Sequence, residues 1–243
     1  MPHIEGAGVA LHYDERGAGT PVLLVHAMGS DAAAWDAALD SLAAGGARAI
    51  VFDRRGYGAS GAPEPYAATT VQEQAQDAAA LLEALGAAPA VLAGDGFGAV
   101  IVLELLVRRP DLFRGAVLAN PPLHAFSPEA TKALAEEREL LEEALREGGP
   151  EAALRAWLGE RAGDALRARA AANHLGFFAD YAGQSSWSPS RRELRAIGVP
   201  VAVVTGPHTP PHVVAAADAV AALVPGARRL GDGAMVDAAL ALL

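Results

Sequence analysis

Residues 90–108 read Ala90-Val91-Leu92-Ala93-Gly94-Asp95-Gly96-Phe97-Gly98-Ala99-Val100-Ile101-Val102-Leu103-Glu104-Leu105-Leu106-Val107-Arg108. A short apolar run, a glycine-rich turn and a long apolar run predict a strand, a tight turn and a helix. Gly94 and Gly98 stand two residues either side of Gly96, where small residues let a strand and its following helix crowd together. At the apex of that turn, Gly96 brings no side chain. The same residues satisfy the dinucleotide fingerprint G-x-G-x-x-A. That fingerprint requires a carboxylate about 20 residues further on, at the end of the next strand, and the residue there is Asn120.

Working outward, the same alternation recurs. Val9–Tyr13 alternates as a half-buried strand, and Pro21–His26 is a continuous apolar run, as in a strand covered on both faces. Asp31 is placed to cap a helix carrying Trp35, Leu39 and Leu42, which stops at Gly45-Gly46. Arg48–Phe52 reads as a strand closed by Asp53-Arg54-Arg55-Gly56-Tyr57-Gly58-Ala59-Ser60. Thr69 or Thr70 caps a helix running through Leu85, with Gly86 as its stop. Ala116–Ala119 is a strand ending at Asn120-Pro121-Pro122. Val199–Thr205 is a strand, Pro211–Leu223 a helix, Ala227–Leu230 a strand and Val236–Leu243 a helix. Strands alternating with helices predict an α/β fold with a mostly parallel twisted sheet and helices on both faces. Residues 124–195 break the rhythm. They carry charged helical patterns over Glu129–Arg146, Glu151–Trp157 and Asp164–Leu175, then an aromatic, serine-rich piece from Phe177 to Ser190. The expected division is a core of residues 1–123 and 196–243 with residues 124–195 inserted as a helical lid.

Composition narrows the function classes. The chain has 243 residues, 52% of them hydrophobic, and a net charge of −10, enough for one sizeable core. Its nineteen basic residues form no stripe, so neither nucleic acid nor an anionic membrane is an expected partner. With no Cys there is no disulfide framework, thiol nucleophile or thiolate metal site. No His/Asp/Glu spacing reads as a metal site, and no cofactor is expected. The N-terminus lacks the regions of a signal peptide, and no apolar run approaches the ~18 residues of a membrane helix. A cytoplasmic protein is expected, with self-association left open.

At this point the chain resembles the α/β-hydrolase superfamily over nearly its whole length. Val25-His26-Ala27-Met28-Gly29-Ser30 with Trp35 is similar to the loop after that family's third strand. Residues 53–60 match its D-x-R-G-x-G-x-S signature. Residues 94–98 match the spacing of its G-x-Ser-x-G elbow, and Val224-Pro225-Gly226-Ala227-Arg228 matches its approach to the last strand. The resemblance implies where a Ser-His-acid triad would fall. The nucleophile position is Gly96, the acid position is Thr209 or, one strand earlier, Asn120, and the histidine position is Ala234, in the turn Gly231-Asp232-Gly233-Ala234. A triad needs a nucleophile, a base and an orienting acid, so this pattern reads as degenerate. The resemblance also implies an oxyanion hole built from the amides of Phe97 and of Met28 or Ala27.

The residues that remain define the expected site. His208 lies beyond a core strand, at the end of a parallel sheet where ligands bind. With Asp95 it is a candidate acid–base residue, since an imidazole titrates near neutrality. Met28, Phe97, Gly96, Asn120, His26 and Trp187 are candidate substrate contacts. His124, His174, Phe126, Trp157, Phe177, Phe178 and Tyr181 could also face the pocket. The leading functional expectation is a protein without serine hydrolysis that performs non-hydrolytic acid–base chemistry, a cyclisation, isomerisation or elimination, on a small apolar metabolite. A catalytically dead binding or regulatory protein and a hydrolase with relocated catalytic groups stand as alternatives.

Overall fold

The computed structural model describes residues 2–160, 162–184, 187–231 and 234–243. The strands are β1 (His3–Glu5), β2 (Ala10–Arg16), β3 (Thr20–Val25), β4 (Ala47–Phe52), β5 (Ala90–Asp95), β6 (Phe113–Ala119), β7 (Val201–Val204) and β8 (Arg228–Leu230). They form one sheet in the order β1-β2-β4-β3-β5-β6-β7-β8. From β4 to β8 every pairing is parallel, while β1 and β2 close one edge antiparallel. The elbow strand β5 therefore lies inside the sheet, between β3 and β6. The α/β-hydrolase-type architecture expected from the sequence is the observed one.

The helices are α1 (Asp36–Ala44), α2 (Val71–Ala84), α3 (Phe97–Arg108), α4 (Pro128–Leu158), α5 (Asp164–Ala172), α6 (His174–Gln184), α7 (Arg191–Arg195), α8 (Pro211–Leu223) and α9 (Met235–Leu240). Alternate residues of the central strands feed different cores. Leu23, Ile50, Leu92, Leu118 and Val203 pack on the side of α2 and α3. Val22, Leu24, Val51, Val91, Val117 and Val204 pack on the side of α1 and α9. That two-sided burial is why these strands read as unbroken apolar runs.

Several local expectations change. Asp31 makes no side-chain cap; its carboxylate instead meets Arg169 of α5 at 2.8 Å. Thr70, not Thr69, caps α2, in a reciprocal capping box with Glu73. The piece beginning at Phe177 is helical as far as Gln184. Its serines at 185 and 186 lie outside the described residues. The charged patterns over Glu129–Arg146 and Glu151–Trp157 join as α4, which breaks at Gly149 (φ 71°, ψ −167°) ahead of Pro150. A glycine tolerates that positive φ, and the proline begins the next run of turns.

Elements α4 to α7 run between β6 and β7. A buried polar cluster pins α6 to the sheet side. Arg54, 1% exposed, pairs with Asp180 of α6, fully buried, at 2.6 Å. Asp180 also accepts hydrogen bonds from Tyr57 Oη and Gln74 Nε2, and Gln74 Oε1 accepts from Arg54.

Candidate active site

The turn after β5 is held open by its neighbours. A Cβ at Gly94 would lie 2.4 Å from the Gly98 carbonyl oxygen, and one at Gly98 would lie 2.2 Å from the Val25 carbonyl oxygen. Both positions thus require glycine. Gly96 sits between them at φ 54°, ψ −120° and directly precedes α3. A Cβ there would meet only Ala27, at 3.3 Å. Of the three elbow glycines described, Gly96 alone could take a side chain without meeting backbone below 3 Å, though Ala27 lies close.

The turn opens into a cavity of about 700 Å³. Ala27, Met28, Asp95, Gly96 and Phe97 form its floor, and Asn120, Gly206, His208 and Thr209 form one wall. Pro122, His124, Glu137, Trp157 and Gln184 close it from the β6–β7 connection, and His212 and Val213 from α8. Phe97 opens α3, so its N–H has no intrahelical acceptor and carries the positive end of the helix dipole.

Asp95 is oriented by a polar chain. Gly206 N donates to Thr209 Oγ1 at 2.9 Å, and Thr209 Oγ1 donates to Asn120 Oδ1 at 2.6 Å. With its oxygen so occupied, Asn120 turns Nδ2 to Asp95 Oδ1, 2.8 Å away. An amide fixed in that sense favours the carboxylate, which only accepts. Burial nevertheless pushes the Asp95 carboxyl above its usual range, against the hydrogen bonds from Asn120 and the Gly96 amide. Asn120 has φ 47°, and among the described residues no other non-glycine residue has a positive φ. Asparagine bears that conformation better than most residues. Thr209 and Asn120, read from the sequence as two candidates for one acid position, are thus partners in a single chain.

His124 stands in this wall. Its Nδ1 lies 3.1 Å from the Ala130 carbonyl oxygen and Nε2 2.9 Å from Gln184 Nε2, so Nδ1 carries the hydrogen and Nε2 accepts. Burial pushes its pKa down, opposed by the Ala130 carbonyl and helped by His212. His212 is also lowered by burial.

The sequence-derived residues divide as follows. Asp95, Gly96, Phe97, Met28, Asn120 and His208 line the cavity together, His208 at its exposed rim. His26 and Trp187 are not among its lining residues. His26 is fully buried, where its Nδ1 meets the Ala27 carbonyl at 2.9 Å and Nε2 accepts from Arg54 N at 3.0 Å. Both ring nitrogens are spent holding the loop that carries Met28. Trp187 is drawn aside by a 2.7 Å hydrogen bond from its indole to buried Glu104, and borders a smaller groove. Ala234 caps α9 and lines a separate groove with Asp237 and Ala238. Asp232 and Gly233 of that expected histidine turn lie outside the described residues.

Glu137 is the residue that sequence reading missed. It faces the cavity from α4 although its neighbours Glu136 and Glu139 are exposed. A signal existed: Ala130, Leu134, Glu137 and Leu141 follow helical spacing, which puts a carboxylate on an apolar stripe.

With this geometry in place, comparison with known proteins settles the family. The family model described as alpha/beta hydrolase fold matches residues 20–230. The chain belongs to the α/β-hydrolase fold family. An epoxide hydrolase from Caballeronia sordidicola is 37% identical over 115 residues, which cover 47% of this chain and 35% of that protein. The chain spans less than half the length of the curated relatives it matches first. An esterase from Thermogutta terrifontis superposes with a TM-score of 0.78 at 24% identity, covering 95% of this chain and 89% of that one. The enol-lactonase from Burkholderia xenovorans LB400 gives 0.74 at 23% identity, covering 96% and 91%.

These relatives correct the functional expectation. Relatives matched in sequence and in structure include a carbamate hydrolase, epoxide hydrolases and an enol-lactonase, which overturns the expectation of a non-hydrolytic cyclase, isomerase or lyase and that of a catalytically dead binder. That expectation rested on Gly96, Thr209 and Ala234 at the positions where the resemblance places a triad. Among the described residues, no helix is long and apolar enough to cross a membrane, and no group of His, Asp and Glu could hold a metal.

Proposed function

We propose that this chain is a hydrolase of small molecules in which water takes the part of the missing serine, with residues 124–195 acting as the lid. The observation that carries this reading is the Asp95 carboxylate, oriented by Thr209 and Asn120 beside a side-chain-free apex on the cavity floor. The triad is degenerate in this reading, with Gly96, Thr209 and Ala234 at its three family positions. The substrate's electrophilic carbon sits over Gly96, its oxygen toward the amides of Met28 and Phe97, where developing negative charge is stabilised. A water beside Gly96 attacks, and Asp95 takes its proton as general base. His208 stands at the rim, where protons leave to solvent.

A single turnover in ¹⁸O-water tests this. With enzyme in excess over a simple ester, water attack puts ¹⁸O into the acid product in the first turnover, and Asp95→Asn lowers kcat about 10²–10⁴-fold. Unlabelled product in the first turnover, with label appearing in Asp95, would mean that Asp95 itself attacks.

A further inference from the structure

Glu137 is the second carboxyl on the wall of the elbow cavity. It occupies the inward stripe of α4 with Ala130 and Leu141, both buried. Its surroundings are aromatic: Trp157 lines the same cavity, and the Glu137 charge helps to raise the Tyr181 hydroxyl on α6. Burial pushes the Glu137 carboxyl above the usual range, with Trp157 acting the other way. Among the described residues no Lys or Arg lines the cavity. Of its histidines, burial biases His124 and His212 toward the neutral form. Among the described residues the site thus sets the Asp95 carboxylate against no fixed positive charge, an arrangement that repels anions.

We infer that Glu137 is the general acid that protonates the leaving oxygen, and that the site accepts uncharged oxygen esters while excluding their carboxylate analogues. This assignment rests on the hydrolytic reading above. In the step it implies, the water oxygen bonds the carbonyl carbon and its proton passes to the Asp95 carboxylate. The carbonyl electrons collapse back from the oxyanion, and the bond to the alcohol oxygen breaks. Its electron pair goes to that oxygen, which takes the Glu137 proton. The products are a carboxylic acid and an alcohol. Asp95 then releases a proton to solvent and Glu137 regains one, restoring both groups. Trp157 bears on the Glu137 titration, and Tyr181 beside it also feels Arg138 and Glu142 of the same helix as Glu137. His124, His212, His208 and Asp95 share its cavity.

Two esters with one acyl half separate a general acid from a merely structural carboxyl. Ethyl butyrate expels ethoxide, a poor leaving group that needs the proton, and 4-nitrophenyl butyrate expels 4-nitrophenolate, a good one that does not. Glu137→Gln is expected to lower kcat/KM for ethyl butyrate about 10²-fold or more, and for the nitrophenyl ester less than about fivefold. The wild-type pH profile for ethyl butyrate should fall as Glu137 ionises, and that descending limb should be missing for the nitrophenyl ester. This second measurement needs no variant. Wild-type kcat/KM for diethyl succinate should exceed that for the monoethyl succinate anion by about tenfold or more. Equal losses on the two butyrates, no loss on either, one shared pH profile, or equal use of the succinate anion would each overturn the assignment. If Asp95→Asn loses turnover while Glu137→Gln treats both esters alike, only this assignment fails. If the wild-type protein hydrolyses none of them, the hydrolytic reading fails and takes it along.

Discussion

Replacing Asp180 by alanine removes the acceptor at the centre of the cluster that ties α6 to the rest of the molecule. Arg54 would keep its charge at 1% exposure with its 2.6 Å carboxylate partner gone. Tyr57 Oη and Gln74 Nε2 would lose their acceptor at the same time. Leaving one member of a buried ion pair uncompensated costs about 3–5 kcal/mol, so the expected loss is at least ~3 kcal/mol. Urea unfolding followed by far-UV circular dichroism measures it. The denaturation midpoint should fall sharply with little change in slope. The pair itself should be worth much less than the penalty for breaking it, because both charges lose their hydration on folding. Arg54→Met with Asp180→Leu should therefore regain a large part of what Asp180→Ala loses. An Asp180→Ala loss below about 1 kcal/mol would show that Arg54 finds water or another partner, and the argument would fail. A double variant less stable than the single one would also refute it.

Other consequences are simpler to check. Asp95 titrates higher folded than unfolded because burial disfavours its charge. The folded state therefore binds more protons, and the carboxylate costs stability once pH rises past the unfolded value of about 3.9. Asp95→Asn should be at least as heat-stable as wild type near pH 8, with the difference vanishing toward about pH 4; a variant uniformly less stable across that range would contradict this. Gly98→Ala should lower stability by about 1–3 kcal/mol or more, since its Cβ meets the Val25 carbonyl, and an unchanged melting temperature would count against the tight elbow. Gly96→Ser should fold at a cost of about 1–2 kcal/mol for a non-glycine residue at positive φ, and a melting temperature equal to that of the wild type would count against that strain.

The fold was legible because its strictest constraints are local. Gly94 and Gly98 report a close backbone approach, and the apolar runs of β3 and β5 report burial on both faces. What escaped depends on distant partners. Nothing near Arg54 in sequence announces Asp180, which lies 126 positions away, and the separation of Trp187 from the elbow follows from Glu104 on α3. β1 is only three residues long and pairs at the edge, too short to alternate visibly. The site was half legible. Asp95, Asn120 and Phe97 were found by their place after strands. Glu137 was lost among the many acids of α4, where only its phase on the helix distinguishes it. The function was misjudged because the residues at three positions were counted as losses one by one. Two candidates for the acid position, Thr209 and Asn120, are hydrogen-bonded to each other, and Asn120 carries the chain on to Asp95.

The elbow has a consequence for how this site can evolve. Its shape is held by Gly94, Gly98 and the backbone they touch, not by whatever stands at residue 96. A glycine codon is one base from codons for serine, cysteine and aspartate, each a nucleophile of a different kind. The apex is thus a socket that a lineage can empty and refill by single mutations while the surrounding turn keeps its form. Because single base changes reach each of these residues, the occupant of the apex can change along a branch of the family without rebuilding the turn.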